Sequence, residues 1–354
     1  MTAPDPHVHP AWYGAVMGTG ALALALAAQS DAWGWDWLDA IAVAMLIVAS
    51  IMAIVLLPRY LRRLSDRGSL AREIANPAQG PMLATLPAGL LVLASGWGRI
   101  GPSFVPTTAA LWVDAVLLVI GALLGLALSV IWSASLLQST PGLEGVNGGW
   151  LVPPVMTLLV PLGLAPLIVA NPDSAPLLLL IGFAFFGIGT VLFLSMLTLL
   201  VARLALRDPL PPAMAPSMWI PLAPAGMIGL ALIRLLQAGT QAGVRDFHGV
   251  GGGLIIAAMG IGFGLWWAAF AALELRRTVR STGAPATPGW WGFVFPIASL
   301  TLSIAAVGAV TEVRGVELLG LLATVLLTVV WTYVLMRTVR MLLPGRTPPR
   351  EVTR

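Results

Sequence analysis

The chain has 354 residues, of which 58% are hydrophobic and only 10% are charged. Soluble domains carry about 25% charged residues, so the composition excludes a soluble globular protein and indicates one that crosses a membrane several times. The absence of cysteine excludes disulfides and thiolate metal sites. The arginines that give the net charge of +4 lie at predicted membrane edges, which argues against a nucleic-acid partner.

Ten apolar segments are long enough to form membrane-spanning helices, which need about 20 residues each. In chain order, these segments cover residues 11–28, 38–57, 81–97, 107–137, 150–170, 175–204, 217–237, 249–275, 288–308 and 316–341. The sequence therefore predicts an all-α polytopic membrane protein with one transmembrane domain, residues 11–341. Residues 1–10 are a short N-terminus and residues 342–354 a short C-terminal tail, both predicted to be cytoplasmic.

Prolines alternate along the ten segments. The third, fifth, seventh and ninth segments contain internal prolines, the even-numbered segments contain none in their interiors, and the first contains three glycines. Proline lacks an N–H group and disturbs the preceding turn, which leaves a carbonyl that lipid cannot satisfy. A broken helix is therefore tolerated mainly where it packs inside protein or lines a wet cavity. The predicted helix breaks lie at Gly18, Pro87, Pro161, Pro224 and Pro296, the last in the middle of its segment.

The four prolines are spaced by 74, 63 and 72 residues, about the length of two membrane helices and their loops. This spacing indicates five helical hairpins, each a broken helix followed by an intact one. We expect the broken helices to form an inner ring of five kinked helices around a pore, and the intact helices to form an outer ring of five. In the alternative arrangement, the prolines only kink the helices of a solid bundle.

Arginines and tryptophans mark the ends of the segments. Arginines cluster after the second, sixth, eighth and tenth segments, which places these loops and both termini in the cytoplasm. The protein is thus predicted in the cell membrane, the inner or plasma membrane, as a multi-pass protein. Tryptophans stand at the starts of odd-numbered segments, and the sequence interpretation is an interfacial aromatic belt. These residues are Trp12, Trp150, Trp219, Trp290 and Trp291.

Few polar side chains lie inside the segments. Arg99 and Arg234, near the outward ends of two inner helices, are candidates for a weakly positive outer vestibule that attracts anions. Asp114 is a candidate partner for either arginine. Candidate hydrogen-bonding groups in the pore are the hydroxyls of Thr19, Thr85, Thr157 and Ser299.

Chemistry other than transport has little support in the residues. The sequence has no phosphate loop, nucleophile elbow or zinc signature, so no cofactor or metal is predicted. A membrane enzyme that acts on lipid would need His, Asp or Glu clustered at one membrane face, and the sequence shows no such cluster. We therefore predict that the protein is not an enzyme.

Four stretches of the chain, in this order and spacing, carry a resemblance to a known family. They are HPAWYGAVMGTGALALAL at 9–26, GGWLVPPV at 148–155, SMWIPLAPAG at 217–226 and WWGFVFP at 290–296. The chain resembles the tellurite-resistance and dicarboxylate transporter family, also described as the voltage-dependent anion channel family. This family includes the bacterial tellurite-resistance protein, the yeast malate permease, fungal sulfite exporters and the plant guard-cell slow anion channel.

The resemblance implies five kinked inner helices among ten, a homotrimer with one pore per subunit, and an aromatic plug on the ninth helix. By its match to the family's phenylalanine before the helix break, the plug would be Phe295, with Phe293 as the weaker candidate. An aromatic ring across a narrow apolar pore blocks hydrated ions by sterics and dewetting. On the residues alone, an ordinary core phenylalanine is the alternative.

The leading functional hypothesis is transport of small inorganic or carboxylate anions across the lipid bilayer, through a pore that Phe295 gates. The alternative is a carrier or exporter of C4-dicarboxylates such as malate, of sulfite or of tellurite, with or without proton coupling. Neither hypothesis involves nucleic acid or a cofactor.

Overall fold

The helices account for nearly all of the chain that can be described. The computed structural model describes residues 9–65, 67–139, 141–244, 249–281 and 287–343. Most of the predicted N-terminus and C-terminal tail lies outside these ranges. Within them the chain is almost entirely helical and has no β-strand. Ten of the described helices are long and apolar enough to cross a membrane, as predicted.

The α-helices, in chain order, fall close to the predicted segments. They are α1 (Tyr13–Trp33), α2 (Trp37–Ser65), α3 (Arg67–Ile74), α4 (Thr85–Ile100), α5 (Thr107–Ser139), α6 (Val152–Ala170), α7 (Ala175–Leu206), α8 (Leu222–Gln241), α9 (Gly251–Ser281), α10 (Val294–Thr311) and α11 (Arg314–Leu342). The short helix α3 is a connector, and the other ten match the ten segments. Helix α2 runs beyond its predicted end and so contains Pro58, an exception to the expected absence of proline from even-numbered spans.

The ten long helices fall into two classes of burial. In the apolar stretches of α1, α4, α6, α8 and α10, 72% to 89% of the residues are buried inside the protein, against 22% to 33% in those of α2, α5, α7, α9 and α11. The second class exposes large apolar side chains such as Ile54, Leu123 and Val191. Such side chains suit contact with lipid, so the alternation read from proline corresponds to an alternation of buried and lipid-facing helices.

The five buried helices contact one another in a closed cycle. Helix α1 contacts α4, α4 contacts α6, α6 contacts α8, α8 contacts α10, and α10 contacts α1 again. Each buried helix also packs against the helix that follows it in the chain, as in a hairpin. Because every hairpin returns the chain to the same side, the five buried helices run in the same direction.

Each buried helix is preceded by a 3₁₀ segment. These segments are Pro10–Trp12, Gly80–Ala84, Gly148–Leu151, Pro212–Trp219 and Pro288–Gly292. Pro87, Pro224 and Pro296 are each the third residue of the α-helix that follows, and in α6 this position is held by Pro154. The repeat is therefore best aligned on Pro154, which makes the spacings 67, 70 and 72 residues.

The expectation that Pro296 interrupts its helix in the middle is wrong. Pro296 lies in the first turn of α10, where N–H groups have no partner within the α-helix and proline is tolerated. The irregular backbone of this span is the 3₁₀ segment before it. Of the four prolines among the predicted breaks, only Pro161 lies deep inside a helix. Helix α1 is continuous through Gly18, where an added Cβ would lie 2.8 Å from Cγ1 of Val294.

Four of the five tryptophans at the starts of the buried spans do not form an aromatic belt against lipid. Trp12, Trp150, Trp290 and Trp291 are all buried within the protein. The indole Nε1 of Trp150 donates to the carbonyl of Pro77 at 2.9 Å. A belt requires rings that reach the lipid headgroups, so the sequence interpretation of these residues is corrected. They pack the end of the bundle where the 3₁₀ segments lie.

Candidate functional site

One cavity lies where the five buried helices begin. It has a volume of about 440 Å³ and is called the inner cavity here. Each buried helix contributes to its wall through its first turns. One lining residue from each helix in turn is Met17, Thr85, Val155, Ala223 and Phe295.

A second cavity lies further along the same helices. This outer cavity has a volume of about 600 Å³ and also receives a contribution from all five buried helices. One lining residue from each helix in turn is Leu24, Ser95, Leu162, Leu230 and Leu302. Both predicted vestibule residues, Arg99 and Arg234, line this cavity together with Asp31.

The two cavities lie above one another on the same faces of the helices. On four of the five buried helices, a residue of the inner cavity is followed seven positions later by a leucine of the outer cavity. Phe295 and Leu302 are such a pair on α10, and Met17 and Leu24 are one on α1. Seven residues make two helical turns and a rise of about 10 Å. The residues between the two members of each pair are buried with the exception of Ile228, and this stretch of about two turns is called the closed layer here.

Helices α8 and α10 touch through their backbones within this layer. A Cβ added at Gly226 would lie 2.6 Å from the carbonyl oxygen of Ser299, so only glycine allows this approach. Ser299 is fully buried, lines neither cavity, and donates its hydroxyl to the carbonyl of Phe295 at 3.0 Å. Its side chain therefore satisfies the backbone of α10 and does not face a cavity.

The two candidate plug residues occupy different environments. The side chain of Phe295 is 5% exposed and lines the inner cavity at the end that approaches the closed layer. Phe293 lines neither cavity, and its ring packs against those of Trp219 and Trp290 at centroid distances of 5.5 and 5.3 Å. Phe295 is thus the one of the two candidates that lines a cavity.

Only one of the other predicted pore hydroxyls lines a cavity. Thr85 lines the inner cavity and donates to the carbonyl of Pro10 at 2.9 Å. Thr19 instead accepts a hydrogen bond of 3.0 Å from Nε1 of Trp331 on α11. Thr157 is fully buried and donates to the carbonyl of Pro154 at 2.8 Å. The hydroxyl of Thr19 therefore bonds to a neighbouring helix, and that of Thr157 bonds to its own helix.

The two arginines of the outer cavity differ in their partners. Arg99 forms an ion pair with Asp31, so the two side chains together add no net charge. The sequence did not single out Asp31. Arg234 donates to the side-chain oxygen of Gln237 at 3.2 Å and has no acidic partner among the described residues. The positive charge of the outer cavity therefore comes from Arg234.

Asp114 does not pair with either arginine, contrary to the expectation. It is fully buried, and neither carboxyl oxygen has a hydrogen-bond partner among the described residues. Its side chain lies directly against Gly98 and its Oδ1 is 3.4 Å from where a Cβ of Gly163 would be. Because Gly98 lines the outer cavity, Asp114 lies directly behind a residue of the cavity wall.

Replacing Asp114 by Asn is expected to raise the melting temperature of the purified protein in neutral detergent solution. The amide keeps the shape of the side chain and cannot ionise, whereas burial without a partner disfavours the charged form of the carboxyl group, which the unfolded chain keeps in water. Asp31→Asn serves as a control, because it breaks an exposed ion pair and is expected to change little. A clearly lower melting temperature for Asp114→Asn would show that the carboxylate itself is needed.

Comparison with known proteins identifies the family. The sequence profile of a family described as voltage-dependent anion channel matches residues 7–339. The chain belongs to the voltage-dependent anion channel family. As a member of this family, it is an integral multi-pass membrane protein for anion transport, as the resemblance implied. The family consists of transporters and channels, not of enzymes.

Named relatives within this family match almost end to end. An uncharacterized transporter of Methanocaldococcus jannaschii is 27% identical over 95% of this chain and 94% of its own length. A sulfite efflux pump of Trichophyton rubrum is 26% identical over 94% of this chain and 90% of its own length. Each alignment therefore spans almost the whole of both chains.

Proposed function

We propose that this member of the voltage-dependent anion channel family carries small anions along one path through each subunit. The path leads from the inner cavity, past Phe295 and the closed layer, into the outer cavity. One observation carries this proposal. On four of the buried helices, a residue that lines the inner cavity is followed seven positions later by a residue that lines the outer cavity. Two cavities that lie on the same helical faces are the expected form of a single pathway closed in the middle.

The charges around both cavities favour anions. The N-termini of all five buried helices meet at the inner cavity, and helix N-termini carry partial positive charge. No acidic residue is among the described residues that line this cavity. In the outer cavity, Arg234 is positive while Asp31 is neutralised by Arg99. A cation would meet unfavourable potential at both ends of the path.

The position of Phe295 in the fivefold repeat supports its role as the gate. Phe295 is the second residue of α10, and the corresponding residues of the other four buried helices are Gly14, Leu86, Pro153 and Ala223. Gly14 and Ala223 also line the inner cavity. One large ring among smaller side chains closes an apolar passage, and rotation of that ring opens it.

The orientation and assembly remain predictions. Described arginines near the C-terminal ends of the lipid-facing helices include Arg203, Arg276 and Arg340, and by the positive-inside rule they support a cytoplasmic side for the inner cavity. The chain would then have both termini in the cytoplasm of a cell or plasma membrane. The homotrimer with one pore per subunit is the assembly that the resemblance implies.

A second candidate function is export of sulfite, with C4-dicarboxylate and tellurite as further substrates of a carrier. The observation that favours sulfite is the likeness to the sulfite efflux pump of Trichophyton rubrum. A carrier would use the same two cavities but would expose them alternately, and it could couple the anion to a proton.

Reconstitution separates these functions. Purified protein is reconstituted in planar bilayers and in proteoliposomes, and its transport of chloride, nitrate, sulfite and malate is compared. A channel gives anion currents whose reversal potential follows the anion gradient. A carrier gives no current above that of protein-free bilayers but takes up sulfite or malate into proteoliposomes, and it accumulates them under a pH gradient if it couples the anion to a proton. Absence of both currents and uptake for all four anions would contradict the proposed function.

A further inference from the structure

The ion pair of the outer cavity is open to solvent. Asp31 and Arg99 both line this cavity, and a carboxyl oxygen of Asp31 accepts a hydrogen bond from Nη2 of Arg99. The side chains of Asp31 and Arg99 are 62% and 48% exposed, so dissolved ions can reach both. The carboxylate of Asp31 therefore marks a place where Arg99 binds an anionic oxygen.

Asp31 is held in this position by Arg99 and not by its own helix. It lies in the last turn of α1, where the partial negative charge of the helix end disfavours a carboxylate. Arg99 lies in the last turn of α4, where the same partial charge favours a cation. An ion pair between two exposed side chains adds little net stability. Another anion can therefore replace Asp31 at low cost.

Arg234 provides a second guanidinium group in the same cavity. It lies close enough to Arg99 and Asp31 for its charge to interact with theirs. Its Nη1 donates to Gln237, whereas Nε and Nη2 have no partner among the described residues. Neither of these two atoms is buried without a partner, so both keep surface that an anion in the cavity can contact.

We propose that Asp31 is a tethered competitor at an anion site that Arg99 and Arg234 form together. A divalent anion displaces Asp31 and binds both guanidinium groups, which suit carboxylate and oxyanion oxygens. While Asp31 competes, Arg99 adds little to the affinity, and without Asp31 the whole site is available. A monovalent anion gains less, since Arg234 alone matches its charge. This inference rests on the proposed function and gives the outer end of the path a preference for divalent anions.

The substitution Asp31→Asn tests the site, because it keeps the shape of the side chain and removes the charge that occupies Arg99. Asp173→Asn is the matched control. Asp173 lies in the 3₁₀ segment Pro172–Ser174 between α6 and α7, at the same end of the bundle but outside both cavities. Flux into proteoliposomes is measured against the concentration of malate, sulfite or nitrate on the side of the outer cavity. The pH is set so that malate and sulfite are divalent.

Asp31→Asn is expected to lower the half-saturating concentration of malate, of sulfite or of both about tenfold, and that of nitrate by no more than about twofold. Asp173→Asn is expected to leave all three unchanged. The charges of malate are further apart than those of sulfite, so the anion with the larger gain indicates the spacing of the two guanidinium groups. An equal gain for nitrate or in Asp173→Asn, or no gain for either divalent anion, would overturn the inference.

A second substitution separates contact from net charge. Arg99→Lys in the Asp31→Asn background keeps the charge of the cavity but replaces the planar guanidinium by a point charge. This double variant is expected to lose most of the gain in the half-saturating concentration of the divalent anion. If it keeps the whole gain, the charge of the cavity is sufficient and Arg99 is not a specific ligand.

A binding measurement separates failure of this inference from failure of the proposed function. Isothermal titration of the detergent-solubilised protein with malate and sulfite is expected to show tighter binding to Asp31→Asn than to the wild type. Tighter binding without flux in any variant keeps the site and contradicts the proposed function. Flux in the wild type, with half-saturation and binding that Asp31→Asn leaves unchanged, keeps the proposed function and contradicts the site.

Discussion

Replacing Phe295 by Ala is expected to raise anion flux at least about tenfold, which corresponds to a barrier lower by ~1.4 kcal/mol. The ring of Phe295 lines the inner cavity where it approaches the closed layer, and it is one large side chain among smaller ones at the same position of the repeat. Removing it is expected to widen the apolar passage from the inner cavity toward the closed layer and to let water and ions enter. Currents of the wild type and the variant in planar bilayers give the ratio directly.

Phe293→Ala is the matched control for this substitution. Phe293 is the same residue type, two positions earlier, and packs against Trp219 and Trp290 outside both cavities. Its loss is expected to lower the melting temperature but to leave the flux within about twofold of the wild type. An equal rise in flux for both variants, or none for Phe295→Ala, would contradict the gate.

Arg234→Glu is expected to lower the flux of anions that enter from the outer cavity by about tenfold at low salt. The substitution replaces the positive charge that has no acidic partner with a negative one, so anions are repelled where they were attracted. The effect is expected to shrink as ionic strength rises, because salt screens charges in a wet cavity. The measurement is flux from the outer side against anion concentration at two ionic strengths.

The control for this prediction is the double variant Arg99→Gln with Asp31→Asn. It removes the ion pair of the same cavity but leaves the net charge unchanged, so flux is expected to change little. If the double variant impairs flux as strongly as Arg234→Glu, the shape of the cavity and not its charge is what anions require.

The ten spans and their two classes were predictable because they depend on composition. Lipid-facing helices are rich in large apolar residues, and the buried helices contain proline near the irregular backbone, so both signals are readable as residue types. The family resemblance followed from the same proline-rich and glycine-rich stretches. It led to Phe295 in preference to Phe293, and Phe295 is the one of the two that lines a cavity.

The faces of the buried helices were not predictable in the same way. A helix that is apolar on all sides gives no periodic signal for the side that lines a cavity, which is why Thr19 and Thr157 were candidates although neither lines a cavity. Pro161 was taken to align the repeat, whereas the 3₁₀ segments make Pro154 the equivalent residue. The partner of Arg99, Asp31, lies at the end of another helix, 68 positions away.

Labelling of single cysteines tests the central claim most directly, and it is simple here because the chain has no native cysteine. The account predicts that Met17→Cys reacts with a membrane-impermeant thiol reagent only from the inner side, and Leu302→Cys only from the outer side. Modification of either is predicted to reduce anion flux, while the lipid-facing Leu123→Cys neither reacts nor changes flux. Reaction of both cavity positions from the same side, or modification that leaves flux intact, would contradict a single path through the five buried helices.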